Sequence, residues 1–357
     1  MSKTRSSLAA LTLLLLTGAG CFGLGGGTKA PVAAVGGMWV SESAGDTWIS
    51  KSVVPTATGS SSISGQDILA IEQDPTDPST IYIGTKTSGL FYSLDGGDSW
   101  LRPEDKDASS GSILAIEVDP KNICTYFVLK ADRLLKTTTC GRAFDNAAYV
   151  ETRTDSGLTA LAIDWYNPKT ILIGTTEGDV LRSLDGGSTW AALYRADGEV
   201  SAITISNADS RILLVGTTSK SLKRSVDGGG TWTDLKKTLT DFDKSGKVYG
   251  FDQTATGSRI LMRNGFGLMF SDDNGATWNP ISLVTSEAEV TVKAAAISPT
   301  NKDLMYYATS NAFYASTSGG KAWSTSNLPS TAAASVIHVD TGKTERVFLG
   351  VVLPAKK

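Results

Sequence analysis

The octapeptide Ser183-Leu184-Asp185-Gly186-Gly187-Ser188-Thr189-Trp190 does not stand alone in this chain. It returns as Ser93-Leu94-Asp95-Gly96-Gly97-Asp98-Ser99-Trp100 and as Ser225-Val226-Asp227-Gly228-Gly229-Gly230-Thr231-Trp232. A fourth copy is Ser271-Asp272-Asp273-Asn274-Gly275-Ala276-Thr277-Trp278, and looser copies close on Trp48, Phe144 and Trp323. The closing aromatics recur about every 45 residues, the spacing of propeller blades built from four short strands. Working outward, each box is preceded by two short apolar or β-branched runs. Examples are Leu158 to Ile163 with Thr170 to Gly174, and Val200 to Ile205 with Arg211 to Gly216. Several are bounded by Asp-Pro, Asn-Pro or Ser-Pro, and they read as strands A and B of a blade, with C before the box and D carrying its Trp.

The two ends complete each other. Met38 to Trp48 supplies a C–D hairpin with no A or B before it, and Val336 to Val351 supplies A and B with no box after it. The expectation is an all-β, seven-bladed β-propeller of four-stranded antiparallel blades over 38–353. Its N-terminal and C-terminal half-blades pair into one, which removes the free edges of a linear array.

The box chemistry is that of a tight hairpin. Asp95, Asp185, Asp227 and Asp273 are expected to accept from turn N–H groups. The fifth-position Gly tolerates positive φ. Trp48, Trp100, Trp190, Trp232, Trp278 and Trp323 are expected to cover the turns and fill space between neighbouring sheets. One Asp per blade, dispersed around a ring, forms neither a metal centre nor an active site. The third box has Thr139 for Asp and Phe144 for Trp, but it contains Cys140. Cys124, in strand B of the same unit, lies as far before Asp132 as Cys140 lies after it, which sets the two opposite each other in a hairpin. A Cys124–Cys140 disulfide replacing the lost Asp cap is therefore expected.

The 357 residues carry 33 basic and 36 acidic side chains, one His and three Cys. Multi-His metal centres and four-cysteine zinc sites are excluded, and no cofactor is implied. The absence of a basic surplus argues against nucleic-acid binding. Lys3 and Arg5 precede an apolar run, Leu8 to Leu16, that is too short to span a bilayer. Thr17-Gly18-Ala19-Gly20-Cys21 follows, and small residues before a Cys resemble a bacterial lipobox, although Gly18 stands where Leu is usual. Residues 1–21 thus read as a lipoprotein signal peptide ending at a lipidated Cys21, and 22–37 as a Gly-rich tether. The expected address is the bacterial cell envelope, periplasmic or surface-exposed.

The repeat resembles the Asp box or BNR repeat, S-x-D-x-G-x-T-W, and the wider class of WD40/YVTN-like propeller repeats. Asp boxes occur in sialidases, xyloglucan hydrolases, sortilin-type receptors and the photosystem II stability/assembly factor family. The resemblance implies the propeller, and it implies that function sits on the face away from the boxes, among the B–C turns and D–A connections. Lys86, Arg133, Lys220 and Arg263 stand in four of those turns, a candidate ring for an acidic partner. Acids share that face, among them Asp107, Asp155 and Asp197. A sialidase-like site would need an arginine triad, with only Arg133, Arg195 and Arg263 available. A xyloglucanase-like site would need paired carboxylates flanked by aromatic platforms, and outside the boxes only Trp39 and Trp165 remain. The longest connection, Ile49 to Gln66, is Ser/Thr/Gly-rich and builds no such wall. His338, alternating with Val and Ile, reads as core or channel-lining. The sequence thus points to a monomeric, non-enzymatic scaffold that binds an envelope or membrane protein. The alternative is a glycan-binding or glycoside-hydrolysing propeller.

Overall fold

The computed structural model describes residues 35–145, 147–219 and 222–355. The signal, Cys21 and most of the tether therefore lie outside the described residues. Seven blades form: six sheets of four strands and one of three. The innermost A strands are Ile68–Gln73, Ala115–Val118, Leu158–Ile163, Val200–Ile205, Val248–Gln253, Ala294–Ile297 and Ala333–Val339, numbered here as blades 1 to 7. Within blade 3, Leu158–Ile163, Ile171–Thr175, Asp179–Ser183 and Ala191–Arg195 pair in sequence order from the axis outward. The B strands are almost wholly apolar and buried, as Ile171–Thr175 and Leu213–Thr217 illustrate, because each is covered by a blade on both faces.

The ring closes by pairing the two ends of the chain. Gly37–Ser41 is hydrogen-bonded to Val347–Val352 in the register Gly37↔Val351 through Ser41↔Val347. Blade 7 therefore has A and B from the C-terminus and C and D from the N-terminus.

Two features depart from the sequence expectation. Blade 1 has only three strands, and its outer strand shrinks to the single bridge Tyr92↔Leu101. The Ile49 to Gln66 connection is not a bare loop. After the D strand Ile49–Lys51 it forms its own hairpin, Val53–Thr56 with Gly59–Ser62, which leans on blade 1 through a bridge from Val53 to Ser99. Val-Val-Pro-Thr has strand character that the Ser/Thr/Gly composition of the surrounding stretch conceals.

The boxes work differently from the expected Asp-centred cap. In all seven, the first hydroxyl accepts from the N–H of the fifth-position glycine at 2.7 to 3.1 Å, from Ser41–Gly45 round to Ser316–Gly320. The Asp adds a second lock where it is present. Asp185 accepts from the Thr189 N–H at 2.8 Å and its hydroxyl at 2.6 Å, which holds the carboxyl down at about 2. Where Asp is missing, a hydroxyl takes the same N–H: Ser43 from Thr47, Thr139 from Ala143 and Ser318 from Ala322. Thr139, not the disulfide, thus replaces the Asp of the third box. The disulfide is an additional link across the strand ends: Cys124 and Cys140 are joined, and the Cys140 N–H donates to the Cys124 carbonyl at 3.1 Å. Both the fourth and the fifth box positions have positive φ, as in Gly186 (73°) and Gly187 (90°), and Cys140 occupies the fourth at 56°. Ser183→Ala leaves the buried Gly187 N–H without an acceptor. Its expected cost is about 1–3 kcal/mol, read as a drop in the urea midpoint, and an unchanged midpoint would contradict the role given to the first hydroxyl.

The box aromatics are also unequal. Trp100 is fully buried and Trp278 nearly so, whereas Trp48, Trp190, Trp232 and Trp323 are only partly covered. The tryptophans stand at the end of the turn, and D strands such as Ala191–Arg195 begin at the following residue.

Candidate functional site

Blade geometry places the A–B and C–D turns on one face, the box face, and the B–C turns and D–A connections on the other. The proposed basic ring lies on the second face, and the structure spends its charges locally. Lys86 pairs with Asp67 at 3.6 Å. Arg133 pairs with Asp132 at 2.8 Å and with Asp107 at 3.3 Å. The Arg263 guanidinium donates to the carbonyls of Tyr249 (3.1 Å) and Val292 (3.3 Å) and lies over the Tyr249 ring, and burial pulls its pKa down to about 10. Lys220 lies outside the described residues. The three described bases do not converge on one point. An arginine triad fails for the same reason, since Arg195 is held by Asp179 at 2.6 Å. Of the candidate acids there, Asp197 pairs with Lys223 at 3.2 Å.

The central channel is where polar side chains do converge. The A strands share one register with their B partners. The penultimate pairs are Glu72↔Tyr82, Glu117↔Phe127, Ala162↔Leu172, Thr204↔Leu214, Asp252↔Leu261, Ala296↔Tyr306 and His338↔Phe348. This sets Glu72, Glu117, Ala162, Thr204, Asp252, Ala296 and His338 in a single tier around the axis. A cavity of about 310 Å³ opens above it on the box face, with Pro75, Pro120, Trp165 and Pro299 from the A–B turns at its mouth.

Three carboxylates and one imidazole share this cavity. Burial, reinforced by the charges of Glu117, Asp252 and Asp74, pushes the Glu72 carboxyl well above the usual range. Burial also pushes Glu117 up to about 8. Asp252 rises less, to about 6, because the N–H groups of Ile297 (2.9 Å) and Gln253 (2.8 Å) donate to it. Burial lowers His338 to about 4, against the pull of Asp340, and its Nε2 lies 3.2 Å from the side-chain oxygen of Gln73. His338 thus lines the channel as a neutral ring at neutral pH. Among the described residues, no hydrogen bond or ion pair reaches the Glu72 or Glu117 carboxylate. Among the described residues no group of three or more His, Cys, Asp or Glu is arranged to hold a metal ion.

Sequence reading missed this tier. The available signal was the alignment of A strands residue by residue: Ala70-Ile71-Glu72, Ala115-Ile116-Glu117 and Gly250-Phe251-Asp252 all place an acid at the third position.

No family model matches the sequence, and no curated protein matches it. Solved structures share the fold. A GH74 enzyme from Niastella koreensis aligns with a TM-score of 0.66 at 16% identity, over 80% of this chain and 51% of that one. The GH74 xyloglucanase of Xanthomonas campestris gives 0.64 at 16% identity, over 80% and 51%. YCF48 bound to D1 peptide gives 0.60 at 16% identity, over 82% of this chain and 94% of that one, and YCF48 from Cyanidioschyzon merolae gives 0.59 at 14%, over 84% and 98%. The chain therefore spans about half the length of the GH74 enzymes and nearly all of the YCF48 structures.

Proposed function

We propose that this chain is an exported, lipid-anchored, non-enzymatic β-propeller that binds or holds another protein at the cell envelope. The observation that carries the reading is the extent of the structural likeness: one propeller here matches nearly the whole of YCF48, a protein whose solved complex contains a D1 peptide, but only about half of each GH74 enzyme. The short turns around the ring suit a docking platform. The export and anchoring parts rest on Lys3, Arg5, the apolar run and Cys21. A glycan-cleaving alternative is supported by the GH74 likeness together with the raised carboxyls of the channel, since glycoside hydrolysis uses one protonated and one ionised acid.

Capture from detergent-solubilised envelope membranes, run beside a panel of xyloglucan and sialoside substrates, separates the two. The scaffold reading expects a reproducible co-purifying membrane protein and no turnover. Hydrolysis that disappears in Glu117→Gln, Asp155→Asn or Asp197→Asn would replace it with the enzymatic one.

A further inference from the structure

We propose that the box-side mouth of the channel is a docking site for a partner protein. The partner inserts one arginine or lysine side chain toward Glu72, Glu117 and Asp252 and lays apolar neighbours on Trp165 and Tyr166. This rests on the protein-binding reading and deepens it, by naming the surface and the chemistry of the partner. It places the site on the face opposite to the one suggested by the Asp-box resemblance.

The mouth carries exposed aromatic side chains where solvent would favour polar groups. Leu94, Ile123, Trp165, Tyr166, Leu184 and Val226 are exposed large apolar side chains, Leu94 at 59% and Tyr166 at 53%. Trp165 lines the cavity, with Tyr166 beside it and Ile123 in the neighbouring A–B turn, whereas Leu94, Leu184 and Val226 lie in C–D turns at the outer part of the same face. An exposed Trp165–Tyr166 pair at the mouth of a cavity marks an interaction surface more often than a solvated one. The platform is held in place. The Lys121 ammonium donates to the Tyr166 carbonyl, and the Tyr166 hydroxyl donates to the Asn207 carbonyl at 2.8 Å, which ties the A–B turns of blades 2, 3 and 4 together.

Charge complementarity selects the occupant. Several other half-buried or buried carboxylates of the ring have partners: Glu151 has Arg153 at 2.7 Å, Asp179 has Arg153 and Arg195, and Asp340 has Arg346 at 3.7 Å, while Asp74 and Asp164 accept from turn N–H and hydroxyl groups. Glu72 and Glu117 have none among the described residues, and no described Lys or Arg lines their cavity. The Thr341 hydroxyl, buried and without a partner, stands in the same wall and adds an unused acceptor. A cation entering here meets three acids and the neutral His338 ring, and no competing cation among the described residues. The cavity, at about 310 Å³, admits one long side chain and not a folded element, so the flanking residues of the partner stay on the rim. A guanidinium or ammonium that reaches the acids also restores their charged form, and binding then releases protons.

The test titrates the full chain with the capped peptide acetyl-Ala-Leu-Arg-Leu-Ala-amide and with its citrulline counterpart, which is isosteric and uncharged. Calorimetry at neutral pH in two buffers of different ionisation enthalpy reads affinity and proton release together. The expected result is preference for arginine over citrulline by about tenfold or more, with protons released. Glu72→Gln/Glu117→Gln should lose that preference, and Trp165→Ala should weaken both peptides. Equal binding of the two peptides, no binding of either, or an undiminished preference in the double variant overturns the proposal. So does displacement of the arginine peptide by a neutral xyloglucan oligosaccharide, which would assign the cavity to glycan. Membrane capture keeps the two levels apart. The same partner recovered by wild type and double variant overturns this docking site and leaves the scaffold reading standing. No partner recovered by either removes the scaffold reading itself.

Discussion

Trp100→Ala is expected to cost about 3–5 kcal/mol, the range for deleting a large aromatic from a well-packed interior. It should be the most damaging of the box-tryptophan truncations. The indole is fully buried in a cluster with Met38, Val40, Ile63, Ile81 and Phe348, residues from blade 7, blade 1 and the segment joining them. Its Nε1 donates to the Lys51 carbonyl at 2.8 Å, and its backbone N–H donates to the Val53 carbonyl at 2.8 Å. Lys51 ends the outermost strand of the closing blade, so truncation removes apolar area, a buried hydrogen bond and a contact across the closing seam. Blade 1 lacks a full outer strand, and the indole works beside the Lys51–Asp98 ion pair and the Arg346 bond to the Gly96 carbonyl in tying it to blade 7. Trp190→Ala should cost clearly less, because that indole is partly exposed, although its Nε1 makes the equivalent bond to the Ala148 carbonyl at 2.8 Å. Trp100→Phe keeps most of the packing and should fall between the two. Urea unfolding of the three variants beside wild type measures this. Equal losses for Trp100→Ala and Trp190→Ala would contradict the assignment of the seam.

The contrast between these two tryptophans shows what repetition in a sequence conveys. The boxes at 93–100 and 183–190 are nearly the same string, and the local turn they encode is the same down to the serine that accepts from the fifth-position N–H. Blade number, closure and the Cys124–Cys140 pairing followed from such strings because each depends on spacing along the chain. Burial of the closing aromatic does not. It depends on what the preceding blade offers, and only Trp100 meets the extra hairpin at Val53–Thr56. The basic residues illustrate the same limit. Arg133 looks available in a short turn, but its charge is taken by Asp107, which arrives from the preceding D–A connection. The channel tier was hidden for a related reason. Glu72, Glu117 and Asp252 look like the polar members of ordinary half-exposed strands, and only ring closure turns three separate positions toward one axis.

Glu117→Gln should raise stability at mildly alkaline pH and change it little in acid. The groups facing this carboxyl are Glu72 from blade 1, Asp252 from blade 5 and His338 from blade 7, with Asp74 behind Glu72, and none is a cation at neutral pH. Because folding lifts Glu117 from the ordinary value of 4.5 to about 8, the folded state holds more protons than the unfolded chain between those two pH values. Stability therefore falls as pH rises through that window and levels off above it. A glutamine of the same shape has no proton to lose. The variant should match wild type near pH 5 and exceed it near pH 8 by on the order of 2–4 kcal/mol, at about 1.4 kcal/mol per pH unit of lift. Glu151 provides the opposite control. Arg153 holds its carboxyl down at about 2, so its contribution is present at neutral pH and is lost only in acid. Glu72→Gln should act in the same direction as Glu117→Gln, and the double variant should gain less than the sum. The Glu117 charge helps raise Glu72, so neutralising Glu117 relieves its neighbour. Thermal unfolding at several pH values measures all of this, and a Glu117→Gln curve parallel to wild type would refute it. The same slope offers a readout of occupancy. A cation seated among Glu72, Glu117 and Asp252 supplies the missing counter-charge, so saturating arginine peptide should flatten the wild-type profile toward that of the variant.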